Sequence, residues 1–207
     1  MPITKTYTLY TFDELSDRAK EKARDWYRSS DVGNDDDNMM SESFAQTLSY
    51  YGFPEGSMKI YYSLAYCQGD GVSFKGRIDF DALLATTESK LVIARTDENL
   101  VVIRDLIKQA RAIDMDLSGK VESNGDFHEC SMDIELDCYY ANDEVISPRD
   151  QIAEKLQEAL KEFVMDLSLQ LKKDGYSDLD YRFSDEVVDK TILVSEYTFC
   201  EDGKREN

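Results

Sequence analysis

Cations are scarce in this chain: 24 Lys+Arg stand against 43 Asp+Glu over 207 residues, a formal net charge of −19. A field of that sign excludes attraction to nucleic acid or to an anionic membrane, because such contacts need a positive surface that neutralises phosphates and releases their counterions. Histidine is almost missing, with one in the chain, so neither a Ser-His-Asp pattern nor a Cys paired with a His base supports hydrolase chemistry. The four cysteines, at 67, 130, 138 and 200, lack CxxC spacing and read as reduced cytosolic thiols rather than a disulfide framework. No apolar run approaches ~20 residues, so no membrane-spanning helix is expected. The opening MPITKTYTLYTFDEL has no basic stretch followed by an apolar one and does not read as a signal peptide. Internal repeats and low-complexity linkers are absent as well.

What is present is enough apolar material for a core. Hydrophobic residues make up 42% of the chain and aromatics 11%, which separates it from disordered chains of similar charge. The length suits one domain over 1–207, with a helical part at 1–56, a hairpin sheet at 57–146 and a helical part at 147–207. KTYTLYTF reads as a short strand, and Ser16 as the N-cap of a helix carrying Leu15, Ala19, Ala23 and Trp26. Asp35, Asp36 and Asp37 then stand at the start of a second helix with the stripe Met40, Phe44, Leu48 and Tyr51, stopped by Gly52. Ser147-Pro148-Arg149-Asp150 opens a long helix with the stripe Ile152, Leu156, Leu160, Phe163, Leu167 and Leu171, and Gly175 is expected to end it.

Between these helical parts the period falls to two. Met58, Ile60, Tyr62, Leu64 and Tyr66 share one face, and Phe74, Gly76, Ile78 and Phe80 continue it after Gly69-Asp70-Gly71. A three-residue turn would place Tyr66 opposite Phe74 and Tyr62 opposite Ile78. Shorter helices are expected near Phe80–Thr86 and over Glu98–Ala112. A second hairpin is centred on Asn124-Gly125, a dipeptide suited to a type I′ turn. Two β-hairpins backed by amphipathic helices, one of them long and C-terminal, make an α+β fold with an antiparallel sheet.

A tight turn at Asn124-Gly125 would organise the acid. It places Asp116 opposite Asp133 and Asp114 opposite Glu135, with Asp137 continuing the row. Directly opposed like charges on neighbouring strands destabilise by a few tenths to ~1 kcal/mol each. The row therefore needs compensation or a use. Lys75 and Arg77 of the first hairpin could lie beside it in one sheet. Alternatively, Asp133, Glu135 and Asp137, spaced ~6.6–6.8 Å along the strand, could imitate a nucleic-acid backbone. A divalent cation could instead be held by the same carboxylates, although no EF-hand loop is present.

Outside this row, Asp70 at a glycine-rich hairpin tip and Tyr61 on the polar face of the same hairpin are secondary contact candidates. His128, Cys130 and Cys138 fall on the inward face of one strand. Cys130 and Cys138 would lie ~27 Å apart along it, so no single tetrahedral ion joins them, and core packing is the expectation. No cofactor is implied.

The blocks YTLYTFDELSDRAKEKARDWYR, IYYSLAYCQGDGVSFKG and EYTFCEDGKR resemble small acidic accessory proteins of phages, prophages and plasmids. These share an FDELS..AK opening and a QGDG.SF.G turn. The resemblance implies a gene of a mobile element, a setting in which acidic proteins often act against host defences in an anti-restriction or anti-CRISPR manner. The expectation is a non-enzymatic binding protein of the host cytoplasm. Its partner would be a basic protein surface, that of a nucleic-acid-binding effector, met through Asp114, Asp116, Asp133, Glu135 and Asp137, with Asp70 and Tyr61. A metal-binding regulator or enzyme using the acidic hairpin, and an antitoxin-like protein that sequesters one basic partner, are the alternatives.

Overall fold

The computed structural model describes residues 6, 8–30, 37–85, 94–139 and 148–205. Its elements are β1 (Tyr10–Thr11), α1 (Asp17–Ser29), α2 (Asp37–Tyr50), β2 (Lys59–Ser63), β3 (Gly71–Arg77), α3 (Phe80–Ala85) and α4 (Ala94–Ala112). β4 (Asp116–Ser123), β5 (Met132–Tyr139), α5 (Pro148–Arg182), α6 (Asp185–Val194) and β6 (Thr198–Phe199) complete the order. The α+β class stands: β2-β3-β4-β5 form a four-stranded antiparallel sheet, β1-β6 a two-stranded one, and α5 is the long C-terminal helix. No helix of the described residues is long and apolar enough to cross a membrane.

The chain divides into two compact units, one of Met1–Met39 with Tyr176–Asn207 and one of Met40–Gly175. In the first, the FDELS block explains the local start of structure. Thr11 and Glu14 form a reciprocal capping box, and Ser16 caps α1 by accepting from the Ala19 amide. Phe12, Leu15, Ala19, Ala23, Val188, Ile192 and Phe199 make its core. The Arg24 guanidinium grips Asp189 through two bonds of 2.6 and 2.7 Å. Gly203, at φ +82°, lies so close to α1 that a Cβ would stand 2.1 Å from the Ala19 carbonyl oxygen.

The second unit packs α2, α3, α4 and the first part of α5 with one face of the four-stranded sheet. Phe53 meets Phe74 and Tyr51 meets Phe163 edge-on, at centroid distances of 5.3 and 5.7 Å. Gly52, at φ +83°, stops α2 as expected. Gly175 does not stop α5, which continues through it to Arg182. The glycine is there for close approach: a Cβ would stand 2.5 Å from Leu64 Cδ1 and 3.0 Å from Phe44 Cζ. The run Asp35–Asp36 and residue Ser147 lie outside the described residues, as does the side chain of Asp37.

Both hairpins depart from the expected register, and by the same amount. In the first, Ser63 faces Gly71 and Tyr62 faces Val72, so residues 64–70 form the loop and Tyr66 lies outside the strands. In the second, Ser123 faces Met132 and Asp116 faces Tyr139, leaving residues 124–131 as the loop. Each pairing is offset by six residues from the tight-turn prediction. Six is even, so the side chains that remain paired in the strands keep their predicted faces while their cross-strand partners change.

Candidate functional site

The acidic row is taken apart by that offset. Asp133 lies opposite Glu122, Glu135 opposite Lys120, Asp137 opposite Ser118 and Asp116 opposite Tyr139. Asp114 is in no strand: it turns the chain out of α4 at φ 53°. The stacked pairs Asp116–Asp133 and Asp114–Glu135 therefore do not exist. A type I′ turn needs positive φ at both central residues, and Gly125 (φ 94°) has it while Asn124 does not. Asn124 instead accepts the Asp126 amide on its own side chain at 2.9 Å, an Asx turn that carries the chain into a longer loop.

Compensation comes from the neighbouring strands. Arg77 pairs directly with Lys120, so the first hairpin's cations do lie beside the acid in one sheet. Lys120 Nζ reaches Glu122 at 2.7 Å and Glu135 at 2.8 Å, which raises its own pKa and holds the Glu122 carboxyl below the usual range. Lys161 of α5 reaches Asp133 at 3.1 Å and lowers the Asp133 pKa, helped by the Ile134 amide. Beside it, Gln157 donates to the Ile134 carbonyl at 3.0 Å and covers the outer edge of β5. Asp133 and Glu135 are thus committed to structure.

Asp114, Asp116 and Asp137 are not. All three are exposed, and none makes an ion pair among the described residues. Asp114 and Asp116 flank Met115, which is buried, and both are themselves exposed. Asp114 also stands at the C-terminal end of α4, where the macrodipole disfavours an anion. Arg149 donates to the Ile113 carbonyl at 3.4 Å, which brings the first turn of α5 to this end of the sheet. Burial pushes the Cys138 thiol up in pKa, and the nearby charges of Asp137 and Asp150 push it the same way. Asp114, Asp116, Asp137 and Asp150 are gathered here.

An extension of this patch escaped the sequence reading. Asp150, Glu154, Glu158 and Glu162 follow one another at four-residue steps along α5, all exposed. Such steps rise ~6 Å and set like charges side by side, a mildly destabilising arrangement. The spacing was available in the sequence, behind the Ser-Pro-Arg-Asp helix start.

The secondary candidates are placed differently. Asp70 is 1% exposed rather than at a free tip. Its carboxylate accepts from Ser63 Oγ (2.9 Å), the Ala65 amide (2.8 Å), the Cys67 amide (2.9 Å) and the Cys67 thiol (3.2 Å). Its carbonyl accepts from Lys172 at 2.6 Å. Tyr61 is half-buried, with Lys59 Nζ over its ring at 5.1 Å and Gly125 of the other hairpin's loop against it. His128 and Cys130, expected inside, are exposed on the 124–131 loop, while Cys138 is half-buried on the inward face. The loop lifts the first two out of the strand.

A family model described as a domain of unknown function, DUF8835, matches residues 38–189, and the chain belongs to that family. No curated protein and no solved structure matches it.

Proposed function

We propose that this DUF8835 member is a non-enzymatic acidic binding protein of a mobile genetic element. It acts in the host cytoplasm by occupying the basic surface of a nucleic-acid-binding defence complex. The observation that carries the reading is the division of the acid. Asp133 and Glu135 are neutralised by Lys161 and Lys120, whereas Asp114, Asp116 and Asp137 are exposed at one end of the sheet and make no ion pair among the described residues. Charge kept exposed and unpaired at one place serves a partner of opposite sign, and it acts on association rate and orientation. The resemblance to phage accessory proteins supplies the setting. The site is thereby moved from the strand row to the sheet end, with Asp150 and Glu154 beside it.

The test is affinity capture from a bacterial host lysate, comparing wild type with the Asp114→Asn, Asp116→Asn, Asp137→Asn triple variant. Wild type is expected to enrich a nucleic-acid-binding protein, to lose it in high salt, and to block its nucleic-acid binding once both are purified. Equal capture by the variant would overturn the site. Capture of a partner with no nucleic-acid binding would favour antitoxin-like sequestration instead. The rival in which the hairpin carboxylates hold a hard cation cannot use the opposed Asp116–Asp133 pair, since Asp116 faces Tyr139 and Asp133 faces Glu122, and a thermal shift with and without divalent ion tests it.

A further inference from the structure

We propose that His128, Glu129 and Cys130 form a three-ligand site for a divalent ion of the zinc class, on the loop created by the six-residue offset. Among the described residues they are the one group of His, Cys and carboxylate side chains whose donor atoms lie close enough to share an ion, all within 4.8 Å of one another. His128 Nδ1 stands 3.3 Å from Glu129 Oε2. Ligands bound tetrahedrally to zinc at 2.0–2.3 Å are separated by about 3.3–3.8 Å, so that pair already has the spacing of a shared ion. Imidazole nitrogen, carboxylate oxygen and thiolate sulfur together suit a borderline-soft ion rather than magnesium or calcium.

The loop is held before any ion arrives. Ser73, fully buried, and Ser131 both donate to the Asp126 carbonyl, at 2.5 and 3.0 Å. The Ser131 amide closes a tight turn onto the His128 carbonyl at 2.9 Å. Gly71 abuts the loop so closely that a Cβ there would stand 2.4 Å from the Phe127 carbonyl oxygen and 3.2 Å from His128 Cα. A braced backbone limits the ordering that metal binding must impose. His128, at 51% exposed, and Cys130, also exposed, remain reachable, while Glu129 is 17% exposed. His128 Nδ1 accepts a long bond of 3.4 Å from the Cys130 amide, a contact weak enough for a metal to replace.

Binding takes the thiol proton from Cys130 to solvent and needs a neutral imidazole, so affinity falls as pH is lowered. Three protein ligands leave one tetrahedral position, open to water or to a donor from a partner.

The experiment uses the full, reduced, metal-free chain titrated with Co²⁺ and read by absorption. Wild type is expected to develop visible bands of tetrahedral cobalt together with a thiolate-to-cobalt charge-transfer band, both bleached by Zn²⁺. Cys130→Ser should abolish the charge-transfer band. His128→Gln should weaken binding by more than about 10-fold, since even residues that only support a ligand are worth roughly that much. Cys67→Ser, which removes the other exposed thiol, should change nothing. Circular dichroism of each variant should match wild type, because the altered side chains are exposed. No tetrahedral spectrum in wild type, or an unchanged one in Cys130→Ser, would overturn the site. Either result leaves the acidic-end reading untouched, since none of these residues belongs to it.

Discussion

Asp70 holds Tyr66 from both sides: its buried carboxylate accepts the amides of Ala65 and Cys67, which flank that tyrosine, at 2.8 and 2.9 Å. Tyr66 is thereby kept at φ 55°, a left-handed conformation that bulky residues rarely adopt, with the residue 66% exposed. The QGDG block is therefore the anchor of a shaped loop, and its aspartate works inside the protein.

Replacing Asp70 with Asn puts donors where four donors already converge. A loss of about 2 kcal/mol is expected from urea unfolding, the usual cost of spoiling hydrogen bonds to a buried charged group. The Asp70 hydrogen bond also raises the Cys67 pKa by favouring the protonated thiol. Alkylation of Cys67 at mildly alkaline pH, followed by peptide mass spectrometry, should accordingly be faster in Asp70→Asn than in wild type. An unchanged rate would mean the thiol does not feel the carboxylate.

Gly175→Ala sets two effects against each other. A helix-interior glycine replaced by alanine ordinarily gains about 1 kcal/mol. Here the added methyl would sit 2.5 Å from Leu64 Cδ1 and 3.0 Å from Phe44 Cζ, and such overpacking costs ~1–3 kcal/mol. The steric effect is expected to win, giving a lower urea midpoint with an unchanged m-value.

Lys161→Met should reveal the Asp133 pair through pH. The Asp133 pKa is lowered from 3.8, so this pair contributes stability above that value and loses it as pH falls through the folded-state pKa. Wild type and variant should differ by a constant amount from neutral pH down to about 4 and converge below it. Both side chains are more than half exposed, so the difference should stay within the ~1 kcal/mol found for surface pairs. A gap that widens on acidification would assign Lys161 another role.

Arg24→Lys in the first unit should cost about 1–2 kcal/mol, because an ammonium cannot reproduce the two bonds to Asp189 at 2.6 and 2.7 Å. The thermal midpoint measures it, and no change would show the pair to be incidental.

Much of the architecture was legible in the sequence because it rests on periodicity. The stripe of Leu156, Leu160, Phe163 and Leu167 placed a helix, and alternation put Ile134 and Met132 inward and Asp133 and Glu135 outward; all of these positions are observed. Helix starts were legible where a capping residue acts on its own neighbours, as Ser16 does. Cross-strand partners were not. A period of two fixes faces only, and a shift of six residues satisfies it as well as no shift does. The true registers depend on bonds from outside each turn: Ser73 to the Asp126 carbonyl for one loop, Lys172 to the Asp70 carbonyl for the other. The same limit applied to Gly175, whose role is set by Leu64 and Phe44, more than a hundred residues away. By itself the sequence determined the net charge, the two hairpins, the helices and the face of the side chains that stay in the strands. Tertiary structure decided which carboxylates are neutralised and which stay bare, because an ion pair depends on the distance between residues that chain order does not bring together.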